Sequence, residues 1–385
     1  MDSRERVRLT LNHKEPDRVP FDLGGTFVTG IHRNAYPRWR KALGLPTVDV
    51  RIFEILQQMA CVDDDVIDAL GVDVRPVVPG GGLFSDIEFK DMGHSTYLYD
   101  NWKIGWRMPK DGGMYYDMFD NPLAGNITEE DLDRFPWFDP LDPRLFEGLR
   151  EAVRQVTEVQ KRAAVITQMA AGTMEVAAWM RGYVDFYTDL GANHPLVAKL
   201  LSKINEIKLA QWSRVLDEVG DCADVLMMGD DYGGQDRLLM SPKTWRKLIK
   251  PGLKEICDLL HSKSDAKVFL HCCGAIREII PDLIEVGVDI LNPIQVSAAG
   301  MDTAELKREF GKDIVFWGGG VDTQRVLWAG TPDEVRAEVR HRLDDLMPGG
   351  GFVFAATHNI QGDVPTENLV AMWETLRECG VYSAG

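Results

Sequence analysis

Eight short apolar runs recur along the chain, each followed by residues whose apolar positions return at helical spacing. They fall at Arg18–Leu23, Asp73–Val78, Ala164–Met169, Asp224–Gly229, Lys267–His271, Ile290–Ile294, Ile314–Trp317 and Phe352–Ala355. Runs such as Val225-Leu226-Met227-Met228 and Ile314-Val315-Phe316-Trp317 are continuously apolar, the pattern of parallel strands buried on both faces. Eight strands alternating with helices predict an α/β fold of the (β/α)8 TIM-barrel type, with a doubly wound open sheet as the rival.

The helices carry their own punctuation. Pro195 opens a segment with Leu196, Leu200, Leu201, Ile204 and Ile207 on one face, and Gly220 stands where a left-handed cap would close it. Thr331-Pro332-Asp333-Glu334 reads as a capping box, followed by Val335, Val339, Leu343 and Leu346 at helical spacing. Both segments are expected in an outer ring.

One stretch breaks the alternation. Residues 80–143 are rich in Gly, Asp and aromatics, among them Tyr97, Tyr99, Trp102, Trp106, Tyr115 and Tyr116. The alternation of Ser95-Thr96-Tyr97-Leu98-Tyr99 and the later Gly112-Gly113 predict an antiparallel hairpin, inserted as an aromatic-rich cap at the mouth. The aromatics serve either to stack on substrate or to pack the insertion onto the barrel. No repeat or linker interrupts the chain, so residues 1–385 are expected to form one domain.

Composition narrows the partners. The chain has 43 basic and 60 acidic residues, a net charge of −17, which disfavours nucleic acid and anionic membrane surfaces. It is 45% hydrophobic with mean hydropathy −0.18, as in globular chains. Six cysteines, two of them adjacent, do not suit a disulfide scaffold. With no apolar signal core in Met1–Arg6 and no run near 18 apolar residues, a cytoplasmic protein is expected. Oligomeric state is not set by composition; a homodimer is the expectation from frequency alone.

The candidate chemistry lies at strand ends. His271 and Cys273 follow Lys267-Val268-Phe269-Leu270 and, by strand alternation, share a face, while Cys272 is expected toward the helices. His358 follows the run at Phe352. Two imidazoles and a thiolate make a three-ligand zinc set with a fourth position open to water or substrate. A substrate thiol entering there would lose its proton and become a nucleophile. The bland alternatives are a core histidine bonded to a carbonyl and a small core cysteine.

Asp230 and Asp231 close the fourth run. Adjacent carboxylates cannot both face the cavity from a regular strand, so one is expected to cap the following loop and the other, Asp231, to orient a ligand or act on substrate. Gln168, Asn292 and Gln295, also at strand ends, suit a polar substrate, as does His32, whose alternative is a surface helix. Trp317 either walls the pocket or fills the barrel. Gly318-Gly319-Gly320 lacks the Lys and Ser/Thr of a phosphate loop, and close approach of backbone to substrate is the better reading.

The order of these motifs resembles the uroporphyrinogen decarboxylase superfamily. The likeness spans nearly the whole chain and rests on four elements: Arg4-Glu5-Arg6 with Pro16-Asp17-Arg18-Val19-Pro20, His271-Cys272-Cys273-Gly274, Gly318-Gly319-Gly320-Val321-Asp322, and Thr357-His358 with Pro365-Thr366-Glu367-Asn368. The resemblance implies a (β/α)8 barrel and leans toward the branch of zinc-dependent methylcobalamin:coenzyme M methyltransferases. That branch carries His-x-Cys-Gly after the fifth strand, intact here as His271-x-Cys273-Gly274, and a cysteine after the eighth, where this chain has His358. Histidine at that position is shared with the decarboxylases, which use no metal. Their arginine-rich first element is replaced here by Asp22-Leu23-Gly24-Gly25-Thr26, which speaks against a porphyrinogen substrate.

The resemblance thus implies zinc held by His271, Cys273 and His358. It also implies a corrinoid such as methylcobalamin, carried by a partner protein, with transfer of a methyl group between a small substrate and that corrinoid or a thiol. Two alternatives differ in class. One is a metal-free carboxy-lyase in which His358 and Asp231 polarise a carboxylated substrate; the other is a non-catalytic corrinoid or tetrapyrrole carrier.

Overall fold

A computed structural model describes residues 1–80, 87–167 and 172–382. Gln168 lies outside the described residues. Seven of the eight expected runs form one parallel sheet, with strands Val74–Val77, Ala163–Ile166, Val225–Gly229, Lys267–His271, Ile290–Asn292, Val315–Trp317 and Phe352–Val353 adjacent in chain order. Nearly every strand residue is buried, which accounts for the continuous apolar runs. The register sets His271 level with Gly229 on one side and Asn292 on the other, so the chemistry-bearing residues arrive at one edge of the sheet. The curled sheet with helices between its strands is compatible with a TIM-barrel-like fold.

The first run, Arg18–Leu23, is not a regular strand. Pro20 has no N–H to give, and Asp22 turns the chain by accepting from the Gly25 N–H at 2.8 Å. Three backbone hydrogen bonds nevertheless join this segment to both edges of the sheet. Phe354 N–H donates to Pro20 O at 2.9 Å, Asp22 N–H to Phe354 O at 2.9 Å, and Asp73 N–H to Phe21 O at 2.9 Å.

Charge clamps the opposite end. Asp73, fully buried just before the strand Val74–Val77, accepts from Arg6 at 2.7 Å, from Arg18 at 2.8 Å and from the Phe21 N–H at 2.8 Å. Asp224, before the next-but-one strand, accepts from Arg8 at 2.8 Å and from Arg4 at 3.0 Å. The helix Ser3–Leu11 is therefore bound across the strands' N-terminal ends by arginines on successive turns.

The helix Pro195–Val219 runs 25 residues and buries the predicted apolar face. Its end corrects one expectation: Gly220 has φ −59°, not a left-handed conformation. A Cβ there would come within 2.8 Å of Lys263 O, so close packing of the next helix explains the glycine. The box at Thr331 is present, with Glu334 N–H donating to Thr331 Oγ1 at 3.3 Å and Thr331 N–H donating to Glu334 Oε2 at 2.7 Å.

Within residues 80–143, the strands Lys90–Asp91, Ser95–Tyr99, Gly105–Pro109 and Asp117–Asp120 form a four-stranded antiparallel sheet. Trp102 and Trp106 are buried, Trp102 edge-on to Phe138 at 4.8 Å and Trp106 to Trp179 at 5.4 Å. Asn121 donates to Trp179 O at 2.7 Å, so this sheet is fastened to the helix Thr173–Arg181. Among the described residues no helix is long and apolar enough to cross a membrane.

Candidate metal centre

His271, Cys273 and His358 converge, with one donor atom from each lying within 4.8 Å of the others. Cys273 Sγ is 3.4 Å from His271 Nε2, and the two imidazole rings meet edge to face at 5.4 Å. Zinc bonds of 2.3 Å to sulfur and 2.0–2.1 Å to nitrogen, at a tetrahedral angle, separate two such donors by about 3.5 Å. The donor set and the 3.4 Å between Cys273 Sγ and His271 Nε2 suit that ion.

The hydrogen bonds around His271 decide which nitrogen is free. Asn292 donates through Nδ2 to Trp317 O at 2.8 Å, which leaves its Oδ1 facing His271 Nδ1 at 2.6 Å. Since a carbonyl only accepts, Nδ1 carries the proton, and the Nε2 lone pair points to Cys273. This is the outer-shell arrangement typical of metal-bound histidines.

Two further groups fix the loop after the strand. Asp231 Oδ1 accepts from the Cys273 N–H at 2.6 Å and lies 3.8 Å from His271 Nε2. Gln295 Oε1 accepts from the Gly274 N–H at 2.7 Å. Cys272 points the other way, buried, its sulfur accepting from the Tyr232 N–H at 3.3 Å.

The electrostatics are acidic. Burial, then Asp231 and Glu175, push the Cys273 thiol well above its ordinary range, so without a cation it stays protonated. Burial and the neighbouring His271 push His358 down to about 3, leaving it neutral and able to ligate. Glu175 is pushed well above the usual carboxylate range by burial, then by Asp231 and Asp230. Sequence reasoning missed this residue; its signal was an acid in the first turn of the helix that follows the third strand.

The remaining described candidates make hydrogen bonds within the protein. Asp230 accepts from Met174 N–H at 3.0 Å and Glu175 N–H at 2.8 Å, capping the helix Thr173–Arg181, and burial lifts its carboxyl to about 6. Of the acidic pair, Asp230 is therefore the cap and Asp231 faces the cluster. His32 is buried, with Nε2 3.1 Å from Met114 O and Nδ1 accepting from Asn34 N–H at 3.1 Å, so it is no surface-helix histidine. Trp317 is buried against Phe269 at 5.3 Å and donates to Asp22 Oδ2 at 2.8 Å. Asn292 is tied at both ends of its amide, to His271 and Trp317, and Gln295 through Oε1 to the Gly274 N–H. The glycine run packs closely on its neighbours. A Cβ at Gly320 would lie 2.3 Å from the Phe354 ring, and one at Gly318 2.9 Å from Asn292 Nδ2.

Comparison with known proteins places these observations. The family model for uroporphyrinogen decarboxylase matches residues 113–379. Methylcobamide:CoM methyltransferase MtbA of Methanosarcina mazei is 24% identical over 247 residues, 64% of this chain and 67% of that protein. A solved methyltransferase from Methanosarcina mazei superposes with a TM-score of 0.62 over 98% of this chain and 99% of its own, at 19% identity, a likeness of fold.

Proposed function

Because the chain belongs to the uroporphyrinogen decarboxylase family and carries a converging imidazole–thiol–imidazole cluster, we propose that it is a zinc-dependent methyltransferase. It moves a methyl group between a small substrate and a corrinoid protein or a thiol, in keeping with the activity named for its Methanosarcina relative. In this reading residues 20–22 serve as the eighth stave of a (β/α)8 barrel, and residues 80–143 cap its mouth.

The single observation that carries the proposal is the convergence of His271, Cys273 and His358 within 4.8 Å. Zinc held there supplies a positive charge that keeps Cys273 and an incoming thiol as thiolates. The chain's own groups do the rest. Asn292 holds His271 with Nε2 unprotonated, and Asp231 fixes the Cys273 backbone. Asp231 also stands where its carboxylate can take the proton an incoming thiol gives up.

The carboxy-lyase alternative is disfavoured by charge, since Asp231, 3.8 Å from His271 Nε2, would repel a carboxylated substrate. Metal analysis of protein purified without chelator tests the proposal. About one zinc per chain is expected, lost in Cys273→Ala; wild type that is metal-free yet active would refute it. A tightly bound corrinoid spectrum without turnover would instead indicate a carrier.

A further inference from the structure

Asp22 lies on the opposite wall from the strand that bears His271, is 1% exposed, and belongs to none of the groups assigned above to metal or substrate. Its Oδ1 accepts from the Gly25 N–H and its Oδ2 from Trp317 Nε1, each at 2.8 Å. The Trp317 carbonyl in turn accepts from Asn292 Nδ2 at 2.8 Å, and Asn292 Oδ1 accepts from His271 Nδ1 at 2.6 Å. A continuous chain of hydrogen bonds therefore crosses the interior from Asp22 to the first ligand. The Asp22 backbone reaches toward the other histidine. Its N–H donates to Phe354 O at 2.9 Å, four residues before His358.

We propose that Asp22 is a positioning residue of the metal centre, which braces the His271 and His358 segments against each other and holds His271 in its Nδ1–H form. The inference rests on the metal-site reading above but makes a separate claim about the metal-free protein. A buried carboxylate is costly unless several donors satisfy it. Here one donor is the Gly25 N–H of Asp22's own turn and the other the Trp317 indole, so the carboxylate ties that turn to the strand end whose carbonyl holds Asn292, which an apolar side chain would not do. Trp317 transmits the constraint mechanically: the indole fixes its own strand end, and the strand end's carbonyl fixes the Asn292 amide.

Two variants break the chain at one link from either side: Asp22→Leu removes the acceptor, and Trp317→Phe removes the donor, leaving a smaller aromatic ring. Nitrogen-15 spectra of the histidine tautomers in metal-free protein give the first readout. Wild type should show His271 as the Nδ1–H tautomer, and each variant a mixture. Zinc affinity by chelator competition gives the second, with each variant weaker by roughly tenfold and the double variant no weaker than either single one. If wild type takes up no zinc while the tautomer shifts in both variants, the brace stands and the zinc reading fails. If both folded variants keep the wild-type tautomer, or the two losses of affinity simply multiply, the brace is overturned.

Discussion

Replacing Asp73 by alanine should be among the most damaging single changes at the strands' N-terminal ends. Asp73 is fully buried and neutralises Arg6, itself 8% exposed, and Arg18, 31% exposed, while accepting from the Phe21 N–H. Removing the carboxylate leaves one guanidinium buried with a single acid, Asp17, that is 47% exposed. Breaking a buried pair by deleting one partner costs about 3–5 kcal/mol, and a buried N–H left without its acceptor adds about 1–3 kcal/mol. A loss of at least about 4 kcal/mol is therefore expected in urea unfolding. Asp17→Ala provides the contrast, since its half-exposed pair with Arg6 is screened and should cost under about 1 kcal/mol. Zinc affinity, measured on folded protein, should be unchanged in both. An Asp73→Ala midpoint within the range of Asp17→Ala would show that the arginine clamp does not hold the segment 18–22 to the sheet.

Further outcomes follow from the centre itself. Asn292→Leu leaves His271 Nδ1 without its acceptor, and zinc affinity by chelator competition should fall 10–100-fold; equal affinity would contradict the outer-shell role. Burial lifts the Asp22 carboxyl to about 6 from an ordinary 3.8, so the native state holds its proton more tightly than the unfolded chain. Its contribution is thus full below pH 3.8 and is lost as pH rises through 6, a change of about 3 kcal/mol. The pH-dependence of unfolding, compared with Asp22→Asn, should lose this segment in the variant; parallel curves would refute it. Gly274 has φ +97° and a Cβ there would lie 2.4 Å from the Gly233 backbone, so Gly274→Ala should displace Cys273 and abolish zinc retention in metal analysis.

The strand pattern was legible because period and continuity report burial directly, and seven of the eight apolar runs lie in the sheet. The run at Arg18–Leu23 carries the apolar signal of a strand, but hydrophobicity does not register Pro20's missing donor or the Asp22 turn. The structural ties of the neutral amides were likewise not legible. Asn292 and Gln295 were read as substrate groups from their strand-end positions, yet a buried amide must first be satisfied, and the nearest unsatisfied groups were His271 and the Gly274 N–H. Glu175 escaped notice because a helix-start acid is ordinarily a solvated one, and only the fold brings it beside Asp231.

His358 illustrates the deeper limit. The sequence sets it at the end of its strand, facing His271 from across the ring, and two side chains leaning inward from strands three places apart in the sheet would have to span a wide gap. The chain solves this differently. The strand stops at Val353, and the backbone beyond it is pinned by Thr357 N–H to Val321 O at 3.0 Å and by Ile360 N–H to Gly30 O at 2.9 Å. It is the loop, not the strand, that delivers the imidazole. Those pins explain two elements that looked unrelated in the sequence. The backbone after Gly318-Gly319-Gly320 supplies the first acceptor, and the segment after Asp22-Leu23-Gly24-Gly25 supplies the second. Motifs separated by hundreds of residues thus act together because each furnishes one backbone contact to the same segment of chain. A change that disturbs either acceptor segment should therefore move His358 without touching it.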